Sequence, residues 1–297
     1  DYTRDPQGFD FALLCDEARS YLENSGALYG TPIERLKKMN IRAVELYGSH
    51  GIDLEKDMVE IAVCAQHNNG GLAVDKNYES TTLRNFYPVG ECAGVFGVRR
   101  PGGSALNSTQ VSSMRAAEHI AKTLSDFSFA ELSSTVTDEI ENALEDLLAV
   151  SCGDADMDFI VSKRLEYGKI MSDCGAFKRE MNSVLRAIEY YGNEIENFKI
   201  TYSVAPEYAS QAMINRDILI TSYTYLCAIR DYISDGGLSR GSYIIERDGG
   251  VFPPEIDKAH FDKVQYTLYD GKSSKSRFEA RRKIPQSEQW FEKVYNK

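Results

Sequence analysis

The stretch FYPVGECAGVFGVRRPGGSALNSTQ, residues 86–110, decides the fold prediction. Residues 86–91 are predicted to form a strand that ends in a carboxylate, Glu91. A glycine-rich loop follows, and small residues predict a helix over residues 105–124. Because alanines line one face of that helix, we expect it to pack closely against a sheet or a cofactor.

The junction between loop and helix has the chemistry of a ligand site. Gly102 and Gly103 directly precede the helix, where backbone N–H groups lack helical partners and the helix dipole is positive. Glycines at such a point permit close approach of a flat ligand. Glu91 could bind two vicinal hydroxyls, and Arg99 and Arg100 could clamp a carboxylate with bidentate hydrogen bonds.

Strands are predicted upstream of this stretch, at residues 58–66 and 72–75. Between them lies the turn HNNGG, in which His67 stands beside glycines. Loops and turns carry a large share of functional residues. His67 is therefore a further candidate for the site.

The composition limits the class of partner. The chain has 34 Lys and Arg against 45 Asp and Glu, a net charge of −11, which argues against a general nucleic-acid or membrane-surface binder. It contains no run of apolar residues long enough for a membrane span, and no signal peptide is visible. Its six cysteines have no metal-ligand spacing, which predicts free thiols in the cytoplasm and no metal site.

Helical periodicity dominates the rest of the chain. A helix is predicted over 10–23, and a second begins at the capping box of Thr31 and Glu34, with Pro32 at its first position. Beyond residue 127, four further apolar patterns predict a bundle of antiparallel helices. These patterns lie around residues 144–148, 159–171, 177–188 and 206–234. In the tail, Lys263–Tyr269 is strand-like.

Three motifs together resemble the fumarate reductase/succinate dehydrogenase flavoprotein family, to which L-aspartate oxidase is related. They are AQHNNGGL at 65–72, FYPVGE at 86–91 and GVRRPGGSAL at 97–106, in the order and approximate spacing of the family. GIDLEKD at 51–57 is similar to the return from the family's capping domain. LSRGSY at 238–243 is similar to a run in its C-terminal helical domain. The resemblance covers nearly the whole chain, but only the C-terminal part of a family member.

The resemblance implies an α-rich α/β fold. A partial flavin-domain sheet with a capping-domain remnant would be followed by a C-terminal helical bundle domain. The expected segments are a capping-domain-like end, the C-terminal part of an FAD-binding domain, the bundle, and a tail with short strands. Their expected bounds are residues 1–57, 58–125, 126–250 and 251–297.

The resemblance also implies FAD as cofactor and a small carboxylic acid as substrate. His67 would hydrogen-bond a substrate dicarboxylate, Arg100 would clamp one carboxylate, and Arg99 is a further candidate for substrate binding. Glu91 would bind the FAD ribose, while backbone N–H groups after the paired glycines would meet the flavin ring. The full set of expected cofactor-binding residues is Glu91, Gly102, Gly103, Ser104, Ala105 and Leu106.

Departures from the family pattern limit what the chain alone is expected to do. Phe96 and Arg99 stand where the family has His and Asn. The dinucleotide-binding glycine motif is absent, and the proton-donating Arg is expected upstream of Asp1. We therefore assign no catalytic residue in this chain. We expect it to be inactive alone, and to bind FAD weakly or not at all without the missing N-terminal flavin-binding portion.

The resemblance favours an oxidoreductase that interconverts saturated and α,β-unsaturated carboxylic acids by hydride transfer at flavin N5. An amino-acid oxidase of the L-aspartate oxidase kind is an alternative, and so is a non-catalytic helical scaffold that binds a partner subunit. Exposed edges of an incomplete sheet would favour a homodimer.

Overall fold

The computed structural model describes residues 10–59, 69–96, 104–123, 134–238, 243–245, 259–260 and 262–281. The chain divides into two compact units, Asp1–Val63 and Cys64–Lys297. The described part is mostly helical. None of its helices combines the length and the apolar character that a membrane span requires. The finer segment boundaries expected from the sequence stay predictions.

The first unit contains two helices, α1 (Asp16–Asn24) and α2 (Pro32–Ser49). The predicted capping box is confirmed. Thr31 Oγ1 accepts from the Glu34 amide at 3.4 Å, and the Glu34 carboxylate accepts from the Thr31 amide at 2.7 Å. Helix α1 begins later than predicted, because a 3₁₀ turn over Phe11–Leu13 precedes it.

The second unit begins, in its described part, with residues 69–96 and helix α3 (Ser104–Thr123). The strand predicted over 86–91 is wrong, because a 3₁₀ turn occupies Gly90–Cys92. Pro88 has no amide hydrogen for a ladder, and Asn85 and Gly90 have φ of +60° and +73°. Within 69–96, pairing is limited to isolated bridges between Leu72 and Ala93 and between Val74 and Ser80.

The partial flavin-domain sheet is therefore not formed by residues 69–96. The strand predicted over 58–66 lies almost entirely outside the described residues. The described residues agree with the predicted α-rich α/β class in two respects: most of them are helical, and they form two short strand pairs.

Over residues 134–234, helices form where the apolar patterns predicted them. Helix α6 begins at Met181 rather than near residue 177, since Lys178–Glu180 forms strand β1 and Glu180 caps the helix. Strand β1 pairs in parallel with β2 (Tyr243–Ile245). The bundle consists of α4 (Ser134–Val150), α5 (Met157–Cys174), α6 (Met181–Glu196), α7 (Phe198–Thr201) and α8 (Ala209–Ser234).

The strand predicted over Lys263–Tyr269 is confirmed as β3. It pairs antiparallel with β4 (Ser274–Ala280) in a hairpin. The Gln265 side chain donates to the Ala228 carbonyl of α8 at 2.8 Å. The hairpin is thereby fixed to the longest helix of the bundle.

A buried polar network crosses the core of the bundle. Asn215 donates to the Tyr202 hydroxyl at 2.8 Å and accepts from Arg164 Nε at 2.8 Å. The Tyr167 hydroxyl lies 3.0 Å from that of Tyr202 and donates to Glu194 at 2.8 Å. Because each of these groups has a partner, the network fixes the packing of α5 against α8 without leaving a polar group unsatisfied.

Candidate functional site

The turn that carries Glu91 is fixed to helix α3 by its first residue. The Gly90 amide donates to Ser112 Oγ at 2.8 Å, and Ser112 Oγ donates to the Thr109 carbonyl at 3.0 Å. A Cβ added to Gly90 would lie 2.8 Å from Thr109 Oγ1, and the φ of Gly90 is +73°. Glycine is therefore required here for both conformation and space.

The backbone near Gly71 also lies close to the backbone of Cys92–Gly94. The Leu72 amide donates to the Cys92 carbonyl at 2.7 Å, and the Gly94 amide donates to the Leu72 carbonyl at 3.1 Å. A Cβ on Gly71 would overlap the Cys92 carbonyl. The two backbones lie side by side with no side chain between them.

The turn that contains Glu91 contacts α3 in the second and third turns of the helix. Gly90, the neighbour of Glu91, contacts Thr109 and Ser112, which follow Ser104 by five and eight residues. At 1.5 Å per residue these contacts lie roughly 8 and 12 Å along the helix from its beginning. The Glu91 residue is exposed.

The first turn of α3 supplies backbone donors. Ser104 and Ala105 are half-buried, and Leu106 is exposed. The amides of a first helical turn have no partner within the helix, and they carry the positive end of the helix dipole. An anionic group at this end of α3 would be stabilised.

The other end of α3 packs against residues 75–87. His119 Nε2 lies 3.5 Å from a Glu79 carboxylate oxygen, and its ring centroid lies 6.0 Å from that of Tyr87. Burial raises the pKa of Tyr87, and the Glu79 charge raises it further. Glu79 lies forty residues from His119 along the chain, and no local sequence pattern marks the pair.

The predicted site residues divide into two groups. Four of them lie in the first turn of α3 or on the turn bound to it. These are Glu91, Ser104, Ala105 and Leu106. The other five, His67, Arg99, Arg100, Gly102 and Gly103, lie outside the described residues.

The described residues fit one end of a flavin nucleotide better than a metal ion. Helix α3 offers backbone donors to an anionic ring edge, and Glu91 is an exposed residue whose side chain accepts hydrogen bonds. Among the described residues, no three His, Cys, Asp or Glu side chains come together to hold a metal.

The chain is similar in sequence to a known protein over part of its length. No family model matches the chain. Over 116 residues it is 32% identical to a subunit of the fumarate reductase (CoM/CoB) of Methanothermobacter marburgensis, covering 39% of this chain and 20% of that protein.

Solved structures share the fold over most of the chain. A FrdA variant of E. coli quinol fumarate reductase matches with a TM-score of 0.65 and 18% identity, over 92% of this chain and 49% of that one. The Mycobacterium smegmatis Sdh1 complex in its apo form matches with a TM-score of 0.65 and 18% identity, over 93% and 48%. The chain thus spans about half the length of the solved chains it matches, and the 116 residues aligned with the curated relative cover a fifth of that protein. The resemblance to the fumarate reductase/succinate dehydrogenase flavoprotein family, over its C-terminal part, is confirmed.

Proposed function

We propose that this chain is the C-terminal part of an FAD-dependent oxidoreductase that interconverts saturated and α,β-unsaturated carboxylic acids. One observation carries the proposal. The bond from the Gly90 amide to Ser112 fixes the Glu91 turn on α3, within about two helical turns of its beginning. The similarity to a fumarate reductase supports the choice of substrate class.

Two groups of this chain would hold the cofactor. The Glu91 carboxylate would accept hydrogen bonds from ribose hydroxyls. The amides of Ser104, Ala105 and Leu106 would face the pyrimidine edge of the flavin, with Gly102 and Gly103 allowing close approach. There the helix dipole would stabilise negative charge on the reduced ring. FAD, when bound, would supply the two-electron hydride chemistry.

Substrate binding would fall to three side chains. Arg100 would clamp one carboxylate of the acid through two parallel hydrogen bonds, His67 would hydrogen-bond a second, and Arg99 would add positive charge. Held this way, the substrate carbon would be oriented toward the flavin. Proton transfer would fall to an arginine upstream of Asp1, so this chain alone would be inactive.

The proposal is tested by FAD titration of the complete polypeptide, followed by flavin fluorescence. Glu91→Ala removes a charged hydrogen-bond acceptor, a change of about 1.5–3 kcal/mol, so the Kd for FAD should rise roughly ten- to a hundredfold. Glu118→Ala is the matched control, because Glu118 is an exposed glutamate on α3 itself. Equal FAD affinities of the two variants would contradict the assignment of Glu91.

The substrate class is tested by turnover. The complete enzyme should reduce fumarate or oxidise succinate with an artificial electron carrier. Arg100→Ala should raise the KM for these acids. Oxidation of L-aspartate without turnover of either acid would instead establish the amino-acid oxidase alternative.

A further inference from the structure

The segment 72–94 contains the Glu91 turn and is closed by backbone hydrogen bonds at its ends. The Leu72 amide donates to the Cys92 carbonyl at 2.7 Å, and the Gly94 amide donates to the Leu72 carbonyl at 3.1 Å. Because its two ends are joined, a contact at one place in the segment restrains the position of the rest.

Glu79 joins the interior of this segment to helix α3. The Glu79 amide donates to Asp75 Oδ1, and the Asn85 amide donates to Glu79 Oε1, each at 2.9 Å. The second carboxylate oxygen of Glu79 lies 3.5 Å from His119 Nε2. One side chain therefore contacts both the segment and the C-terminal part of α3.

The segment is bound to one face of α3 at two levels. The first anchor is the hydrogen bond from the Gly90 amide to Ser112 Oγ. The second anchor is the pair of Glu79 with His119. Ser112 and His119 are seven residues apart, so they share a helix face and lie about 10 Å apart along its axis. Ala116 lies between them and is buried. With both anchors formed, the segment has a fixed orientation on α3, whereas weakening one of them allows it to pivot about the other.

The two anchors differ in their response to pH. An amide and a serine hydroxyl do not titrate near neutral pH, whereas an imidazole loses its charge between about pH 5 and 8. Carboxylates stay ionised over this range. At 3.5 Å the attraction between Glu79 and His119 depends mainly on the imidazole charge. The two side chains are only 25% and 24% exposed, so water and salt screen this pair less than a fully exposed one.

The neighbours of His119 keep a constant charge over the same range. Burial and the Glu79 charge raise the pKa of Tyr87, and Asp75 acts in the same direction, so Tyr87 stays neutral. Tyr87 also forms a hydrogen bond with Thr123, which does not depend on pH. The charged residues within four positions of His119 on α3 are Arg115, Glu118 and Lys122, which do not titrate between about pH 5 and 8. Among the described residues around this contact, His119 is the group that changes charge.

We propose that the second anchor is pH-sensitive and positions the Glu91 turn, so that FAD binds more tightly when His119 is protonated. This inference rests on the proposed role of Glu91 in FAD binding. Protonated His119 would hold Glu79, and the segment would keep both anchors. Neutral His119 would weaken the second anchor while the Gly90 bond remains. His119 and Glu79 would be positioning residues, since they act on the cofactor through the segment.

The second anchor is tested first in the 297-residue chain without FAD. The Asn85 amide reports on the anchor, because it donates to the same carboxylate that faces His119. Its NMR resonance should titrate between about pH 5 and 8 in the wild type and stay constant in His119→Gln. His50→Gln is the control, because His50 is an exposed histidine at the end of α2 whose ring contacts the Leu46 carbonyl. This control variant should titrate as the wild type does.

The effect on the site is tested by FAD titration of the complete polypeptide at about pH 6 and about pH 8. The wild-type Kd should rise about two- to fivefold between the two, which is the effect of one partly screened ion pair. His119→Arg has a permanent charge and should bind FAD equally well at both pH values. His119→Gln has none and should bind at both as weakly as the wild type does at the higher pH.

The two readouts distinguish failure of this inference from failure of the proposed function. A change of the FAD Kd with pH that is the same in the wild type, His119→Gln and His119→Arg would overturn the inference. An Asn85 resonance that titrates equally in the wild type and His119→Gln would also overturn it, whatever the FAD result. A complete polypeptide that binds no FAD at either pH would contradict the proposed function, and the Asn85 titration would still decide whether the second anchor exists. Circular dichroism checks that the variants fold.

Discussion

The helical bundle and the segment bound to α3 are held together by different interactions. In the bundle, large side chains such as Tyr167, Tyr202 and Leu219 are fully buried, and a satisfied polar network joins the helices. Beside α3, the described buried residues are smaller than the bundle tyrosines, and they include Ala93, Ser112, Ala116, Val74 and Pro88. There the packing depends on backbone hydrogen bonds and on glycines that leave no room for a side chain.

This difference assigns separate roles to the two regions. Burial of large side chains provides most of the stability of a fold, so the bundle can fold largely by its own contacts. The segment near α3 contributes little burial, but it fixes where Glu91 lies. We therefore expect substitutions in the bundle to change stability and substitutions near α3 to change ligand binding.

The largest effect should come from the centre of α8. Leu219→Ala leaves a cavity at a fully buried position and should lower the free energy of unfolding by about 3 kcal/mol. Leu165→Ala, at a 69% exposed position, should change it by less than about 0.5 kcal/mol. Urea denaturation measures both. Similar losses of unfolding free energy in the two variants would contradict the view that burial of large side chains in the bundle stabilises the fold.

The buried network should give the next largest effect. Tyr202→Phe removes the hydroxyl that Asn215 and Tyr167 share, at a cost of about 1–3 kcal/mol in unfolding free energy. Tyr208→Phe is the control, because the Tyr208 hydroxyl makes no hydrogen bond with the described residues. If urea denaturation finds the two variants equally stable, the network does not stabilise the bundle.

A smaller and local effect is expected at Gly90. Gly90→Ala introduces a left-handed alanine whose Cβ lies 2.8 Å from Thr109 Oγ1, at a cost of about 1–2 kcal/mol. Hydrogen exchange should show lost protection around the first half of α3. Gly168→Ala has open space within helix α5 and should leave stability unchanged or raise it by up to about 1 kcal/mol. Unchanged protection of α3 in Gly90→Ala would contradict the proposed anchoring of the turn.

At alkaline pH, ionisation of a buried tyrosine should lower the stability of the bundle by a modest amount. Burial raises the pKa of Tyr191 to about 12 from a usual value of 10. Because the raised pKa belongs to the folded state, the stability it contributes is complete below pH 10 and is lost as the pH rises toward about 12. The urea midpoint of unfolding should fall across this pH range, and the midpoint of the Tyr191→Phe variant should fall less. Identical slopes for the two proteins would contradict the burial of Tyr191.

Local signals in the sequence predicted the helices well. The capping box at Thr31 and Glu34 and the strand at Lys263–Tyr269 each follow from neighbouring residues, and the structure confirms both. In these places residue preference and long-range packing favour the same conformation.

Predictions failed where conformation depends on distant contacts. Residues 86–91 have apolar strand-like character, yet Gly90 turns out of the extended region to meet Ser112 of α3. The pairing of His119 with Glu79 spans forty residues of sequence, and no short motif encodes it. The family resemblance implies the role expected of Glu91. The structure shows that the turn containing Glu91 is bound to α3 through the Gly90 amide.

The visible absorption spectrum of the native gene product tests the central claim most directly. If this chain is part of a flavoenzyme, the purified polypeptide should be longer than 297 residues. It should also absorb near ~450 nm, as bound flavin does, and release FAD on denaturation. A colourless product that contains no FAD and does not bind it on titration would contradict the account.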